Sequence, residues 1–216
     1  LGFEVIAMQL NVKKIVVGAL RTNCYIAYDL DSKAAFIVDP GCPDPKILNF
    51  IKNINLLPIF IINTHGHFDH IAGDEEVAHF FNIPVLIHLI DLPMLIDPSK
   101  NYSAYYGTPF AFSGQWETIN GEGTIEKSPF HMTIIETPGH TCGSISILIG
   151  NYLFSGDTLF IDTIGRTDLP ESCPDKMAES LLKFKNISDD IVVHPGHMGS
   201  GKFSEVKARN RHLNFR

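Results

Sequence analysis

The sequence predicts an α/β fold: an αββα sandwich in which two β-sheets pack face to face with helices outside, formed by residues 1–216 as a single domain. Three observations predict it. Each half of the chain starts strand-rich and ends helical, apolar strands alternate with amphipathic helices at crossover spacing, and strand after strand ends on a turn carrying His or Asp. With 216 residues, 44% of them hydrophobic, the chain is long enough to bury such a core.

The first half opens with three runs rich in β-branched and aromatic residues, Val12–Val17, Asn23–Tyr28 and Ala34–Val38, read as antiparallel strands. Asp39-Pro40-Gly41 closes that set. Asp44, with Pro45 just inside, starts a helix whose one face carries Ile47, Leu48, Ile51 and Ile54. Pro58–Asn63 is a short apolar strand leading to Thr64-His65, His70–Phe81 is a helix, and Pro84–His88 is a strand. Ile90–Ile96 reads as a short helix stopped by Pro98. Asn101–Gln115, rich in Tyr, Phe, Gly and Pro, is a long loop, and Tyr102, Tyr105, Tyr106 and Trp116 are candidates for an apolar wall.

The second half repeats the logic, although its identity to the first does not establish an internal repeat. Phe130–Glu136 is a strand running to Pro138-Gly139-His140, and Ser144–Ile149 with Tyr152–Ser155 makes a hairpin across Gly150-Asn151. Asp175–Phe184 is a helix, Ile191–Val193 a strand ending at His194-Pro195-Gly196-His197, and Ser204 caps a last helix through Arg209.

Composition narrows the function classes. A net charge of −7 with scattered basic residues offers no track for a phosphate backbone, so nucleic acid is not an expected partner. No apolar run approaches the ~18 residues that cross a bilayer, so no membrane partner is expected either. Cys24, Cys42, Cys142 and Cys173 form no Cys-x-x-Cys pair and suit a reducing compartment, with Cys142 read as a small buried hydrophobe. No secretory leader is visible, so the expected location is cytoplasmic, or an organelle if a leader precedes Leu1. The oligomeric state is left open.

The chemistry concentrates in His and Asp. His65, His67, Asp69 and His70 fall within six positions after a buried-type strand, while His140, Asp157 and His197 each follow a strand through Pro-Gly or Ser-Gly. Imidazole and carboxylate are the neutral-pH ligands of zinc, and iron accepts the same donors. One zinc with an open position cannot use seven donors. Crowding these groups at strand ends without a cation would be costly. Asp39 is placed to accept the second ring proton of a ligating histidine. Arg166 can meet a substrate carboxylate or pair with Asp162 or Asp168. His194 points either towards the site or away, and His79, His88, His131 and His212 are read as ordinary core or surface histidines.

Thr64-His65-Gly66-His67-Phe68-Asp69-His70 resembles the signature of the metallo-beta-lactamase superfamily, and Pro138–Ser144, Phe154–Phe160 and Pro195–His197 are similar to its companion motifs in the family order. Ile164-Gly165-Arg166-Thr167-Asp168-Leu169-Pro170 is similar to the short glyoxalase II-like (hydroxyacylglutathione hydrolase-like) proteins. That resemblance implies two divalent ions, zinc first with iron or manganese as other candidates. His65, His67 and His140 would take one ion, Asp69, His70 and His197 the second, and Asp157 would bridge them. It further implies hydrolysis of a small thioester, hydroxyacylglutathione-like, by a hydroxide held between the ions, with Asp69 and Asp157 as the catalytic carboxylates and Arg166 touching substrate.

Glyoxalase II enzymes carry a C-terminal helical region that contacts glutathione, whereas this sequence stops at Arg216, so glutathione specificity is not an expectation; Met198 also stands where glycine is common. The alternative of the same fold is a persulfide dioxygenase with one iron on two histidines and one aspartate. Beta-lactam hydrolysis, nucleic-acid cleavage and a noncatalytic metal-binding or partner-binding module rank below both.

Overall fold

The computed structural model describes residues 9–213. The β-branched runs at the start of the chain become β1 (Leu10–Val17), β2 (Thr22–Asp29) and β3 (Ala34–Val38), joined antiparallel. Asp44 caps α1 (Pro45–Asn53) by accepting from the Lys46 backbone N–H, and Ile47 and Ile51 form its buried face. β4 (Leu57–Ile62), β5 (Val85–His88) and β6 (Trp116–Ile119) extend the sheet in parallel, giving the order β1-β2-β3-β4-β5-β6.

The second sheet has the order β12-β11-β10-β9-β8-β7. It is built from β7 (Gly123–Lys127), β8 (Phe130–Glu136), β9 (Ile145–Ile149), β10 (Tyr152–Gly156), β11 (Val192–Pro195) and β12 (Gly201–Lys202). Among the described residues only β10 and β11 run parallel in it.

Three layers of apolar packing hold the sandwich. Phe36, Phe60, Ile62, Phe130, Ile147 and Phe154 meet between the sheets, with Phe36 stacked on Phe60 and edge-on to Phe130. Each such side chain, fully buried, contributes about 1.5–3 kcal/mol. The outer face of the first sheet packs on α1, α2 (Phe68–Ile71), α3 (Asp74–Phe81) and α4 (Leu92–Ile96) through Ile47, Ile71, Val77 and Leu95. The outer face of the second packs on α5 (Pro174–Leu182) and α6 (Phe203–Arg209) through Met177, Leu181, Phe203 and Val206. The result is the expected sandwich of two mixed sheets flanked by helices. Among the described residues, no helix is long and apolar enough to cross a membrane.

Several local expectations are corrected. The helix expected over 70–81 is broken into α2 and α3 at Ala72-Gly73, because the chain presses on Pro40: a Cβ at Gly73 would lie 1.8 Å from the Pro40 carbonyl oxygen. β6, β7 and β12 carry too few apolar residues to be read as strands. Ser204 lies inside α6, whose cap position is Lys202. Cys142 and Cys173 are joined in a disulfide, Cα–Cα 5.1 Å, so Cys142 is not a free buried hydrophobe and the cysteines no longer argue for a reducing compartment.

Candidate metal centre

The seven donors come together at one edge of the sandwich, where β4, β8, β10 and β11 end. His65 and His67 stand in the turn after β4, and α2 begins at once, so Asp69 and His70 come from its single turn. His140 lies between β8 and β9, Asp157 directly follows β10, and His197 follows β11. Ligand atoms of His65, His67 and His140 all lie within 4.8 Å of one another. The same holds for His65, His70 and Asp157, and for Asp69, His70 and His197. His67 Nδ1 is 2.9 Å from His140 Nε2, His70 Nε2 is 3.3 Å from His197 Nε2, and His197 Nε2 is 3.3 Å from Asp69 Oδ2. Asp157 lies in the middle: Oδ2 is 3.6 Å from His140 Nε2 and 3.5 Å from His197 Nε2, while Oδ1 is 3.6 Å from His70 Nε2.

Surrounding groups fix which ring nitrogen of several histidines is free. The Arg166 carbonyl, 2.8 Å from His140 Nδ1, can only accept, so that nitrogen carries the proton and Nε2 keeps its lone pair. Asp39 accepts from His70 Nδ1 at 2.8 Å and from Thr64, through its N–H at 2.8 Å and its hydroxyl at 2.6 Å. The Thr64 hydroxyl, having given its proton to Asp39, accepts from His65 Nδ1 at 3.1 Å. Asp69 receives the Thr22 hydroxyl at 2.9 Å. Close approach needs glycine: a Cβ at Gly196 would sit 2.2 Å from Asp157 Oδ1 and 2.5 Å from the His70 ring.

The electrostatics of the cluster call for a cation. Burial, then the neighbouring imidazoles, hold the His65 and His67 pKa well below the usual histidine value, so both rings are neutral and able to donate lone pairs. Burial opposes charge on His70 as well, but Asp69, Asp157 and Asp39 overcome it and hold its pKa up at about 10. Asp69 is desolvated by burial, yet His70 and His197 keep its carboxyl well below the usual range. His65 Nε2, His67 Nε2 and Asp157 Oδ1 are buried with no hydrogen-bond partner among the described residues. A buried polar atom left unmatched costs about 1–3 kcal/mol, and a metal ion satisfies such lone pairs directly. The donor set therefore fits divalent metal, and a site of this kind carries metal-dependent hydrolytic or oxidative chemistry.

One residue that shapes the site was not singled out in the sequence. Asp91 stands at the head of α4 but caps nothing there; buried, it accepts from Gly66 N–H at 2.9 Å, the Thr141 hydroxyl at 2.7 Å and Gly143 N–H at 2.8 Å. It thereby ties the His65–His67 turn to the His140 turn. In sequence it looks like any aspartate opening a helix, since its partners lie about 25 and 50 positions away.

Other candidates separate. Arg166 lines the cavity of about 340 Å³ above the donors together with Tyr102 and Tyr106, and its guanidinium is forked onto Asp168 at 2.6 and 2.9 Å. Tyr105 and Trp116, the latter in β6, do not line that cavity. Thr141 and Ser144 bond each other around the His140 turn at 2.7 Å. His194 faces away from the donors, among Tyr25, Tyr152 and Phe154. His88 pairs with Glu136 at 2.9 Å.

Comparison with known proteins agrees with this geometry. Residues 17–197 match the model of the metallo-beta-lactamase superfamily. The chain is 34% identical to a probable metallo-hydrolase, YqgX, of Bacillus subtilis over 86% of this chain and 89% of that protein. It is 30% identical to the hydroxyacylglutathione hydrolase GloC of Haemophilus influenzae over 95% of this chain and 99% of that one. The crystal structure of BLEG-1, a B3 metallo-beta-lactamase, superposes with a TM-score of 0.87 at 32% identity, covering 94% of this chain and 100% of that chain. TTHA1623 in a di-iron-bound form superposes at 0.79 with 26% identity, covering 93% and 100%. With the motifs, the sandwich and the clustered donors all in agreement, the chain belongs to the metallo-beta-lactamase superfamily.

Proposed function

We propose that the protein is a dinuclear metal-dependent hydrolase that cleaves a small acyl thioester. The observation that carries this reading is the complete second donor set: Asp69, His70 and His197 close on one another beside His65, His67 and His140, with Asp157 facing both groups. In this assignment His65, His67 and His140 hold one ion, Asp69, His70 and His197 the other, and Asp157 lies between. Zinc suits the donors; iron and manganese suit them too, and a relative that holds two irons supports testing all three. Bound there, divalent ions supply Lewis acidity, lowering the pKa of water and polarising a carbonyl oxygen.

The protein's own contribution is positional. Asp39 orients His70, the Arg166 carbonyl orients His140, and Thr22 holds the Asp69 carboxylate in place, so the donor atoms are set before substrate arrives. Tyr102, Tyr106 and Leu169 wall the cavity and limit the water in it. The Arg166 guanidinium at its mouth can exchange Asp168 for a carboxylate of the substrate. The hydroxyacylglutathione hydrolase among the relatives supports a thioester as the substrate class.

The test is metal analysis and turnover on the same sample. Protein loaded separately with zinc, iron(II) or manganese is expected to hold two ions per chain and to cleave hydroxyacyl thioesters of glutathione or another small thiol without oxygen. One iron per chain, with oxygen uptake on glutathione persulfide and no thioester cleavage, would replace the hydrolase with a dioxygenase.

A further inference from the structure

We infer that the substrate carries an uncharged apolar arm, which lies in a cleft beside Asp69 between the β1–β2 turn, the 41–43 segment and the 106–110 segment. The inference rests on the thioester-hydrolase reading and narrows it. A cavity of about 620 Å³ opens next to the one above the metal donors, and the two share Leu20, Phe68, Asp69 and Tyr106 as common walls. A molecule whose reacting group sits among the donors has this space directly available, and the volume accommodates an aryl or medium-length alkyl group.

The lining decides the chemistry of that arm. Gly18, Ala19, Leu20, Phe68, Pro109 and Phe110 present carbon, and among the described residues no Lys or Arg side chain lines the cleft. Among the described residues the one carboxylate on its wall is Asp69, which the proposed function commits to a metal ion. Past Pro43, Ala72 and Pro109 the surface continues to Glu75 and Glu76, so an anionic arm would meet like charge at its outer end. Arg166, the cation of the donor cavity, does not reach into this cleft. The glutathione carboxylates are therefore poorly served on this side. Leu20, at the tip of the β1–β2 turn, is 44% exposed, an apolar side chain that an apolar ligand would cover.

The cleft is also rigidly tied to the donors. Gly41 packs so closely on α2 that a Cβ there would lie 1.6 Å from the Asp69 carbonyl oxygen, and beside it the Thr22 hydroxyl bonds the Asp69 carboxylate. Phe68 and Tyr106, ring centroids 4.7 Å apart, stand where the two cavities join. An arm seated against these residues positions the substrate relative to Asp69 without an added conformational change.

Cys42 gives a readout separate from turnover. It lines the cleft as a half-buried free thiol, whereas the other free thiol, Cys24, is fully buried and serves as an internal control. Metal-loaded protein is alkylated with N-ethylmaleimide, alone or with one of two probes, and the Cys42 peptide is followed by mass spectrometry. The probes are N-methylhexanamide and its equal-length counterpart ending in a carboxylate. The neutral probe, at a few times its Kd, is expected to slow alkylation about fivefold while the charged one leaves it unchanged. Leu20→Glu should abolish the protection. In parallel, the hexanoyl thioester of N-acetylcysteamine should exceed the acetyl thioester in kcat/KM by about tenfold or more. Equal protection by both probes, or none by either, overturns the inference. Protection without thioester cleavage upholds the cleft and sinks the hydrolase reading; cleavage without protection does the reverse.

Discussion

The two halves of the sandwich bring donors to the same edge by different routes. In the first half His65, His67, Asp69 and His70 come from one strand end and the single helical turn that follows, so their relative placement is a local property of six residues. In the second half His140, Asp157 and His197 come from three turns, and only the pairing of β8, β9, β10 and β11 places them together. The local set needs little beyond its own backbone. The distributed set depends on register and on cross-links between turns, which makes it the half where distant changes should be felt.

The largest expected effect comes from the residue that joins the two sets. Asp157→Ala removes the carboxylate facing His70, His140 and His197 and leaves those imidazoles to crowd one another. Metal content should fall below one ion per chain, and thioester turnover by about a thousandfold, equivalent to about 4 kcal/mol of barrier. His65→Ala, within the local set, should instead spare the ion assigned to Asp69, His70 and His197. Metal analysis of both variants settles the matter: full metal and full turnover in Asp157→Ala would show that the halves do not share a carboxylate.

A smaller effect is expected where the halves are tied by a residue outside the proposed ligand sets. Asp91→Ala strips hydrogen bonds from Gly66, Thr141 and Gly143 in a buried setting, and should cost about 2–4 kcal/mol in urea unfolding. Because the loosened turn carries His140, affinity for the ion proposed at His65, His67 and His140 should drop about tenfold to a hundredfold while the other proposed ion stays near wild type. An equal loss at both ions would mean that Asp91 supports the whole edge rather than the distributed half.

This contrast also explains what was legible in the sequence. The local donors announced themselves because His-x-His-x-Asp-His needs no tertiary knowledge to be seen as a cluster, and the long apolar strands β3, β4 and β8 follow period and propensity. β6 and β12 escaped because Trp116–Ile119 is largely exposed and Gly201–Lys202 is two residues long; sheet pairing, not local preference, makes them strands. The break between α2 and α3 was hidden because its cause, the Pro40 backbone, lies on another segment. Asp91 and the Cys142–Cys173 pair were invisible for the same reason: each is defined by partners brought close by the fold.

The smallest effect tests the outer limit of the distributed half, at His194, three residues before His197. Its ring stacks with Tyr152 and Phe154, Nδ1 bonds the Ser200 hydroxyl at 2.8 Å, and Nε2 is buried without a partner among the described residues, so a second proton finds no acceptor there. Burial, then the Lys14 charge, lowers its pKa from 6.5 to about 4. Above pH 6.5 the imidazole is neutral folded and unfolded alike, and it contributes no pH dependence. As pH falls below 6.5 the unfolded chain takes up a proton that the folded chain refuses, so stability declines until about pH 4, where the folded state binds it too. Between pH 6.5 and 5.5 that decline is about 1 kcal/mol. Replacing the imidazole by a ring that cannot titrate, His194→Phe, should flatten this part of the curve by that amount in urea unfolding of the metal-free proteins, leaving the metal stoichiometry of the loaded protein at its wild-type value. If the two curves run parallel from pH 6.5 to 5.5, the ring is protonated within its aromatic surroundings. If instead metal binding changes, His194 belongs to the donor edge and the distributed half reaches one residue further than its three turns.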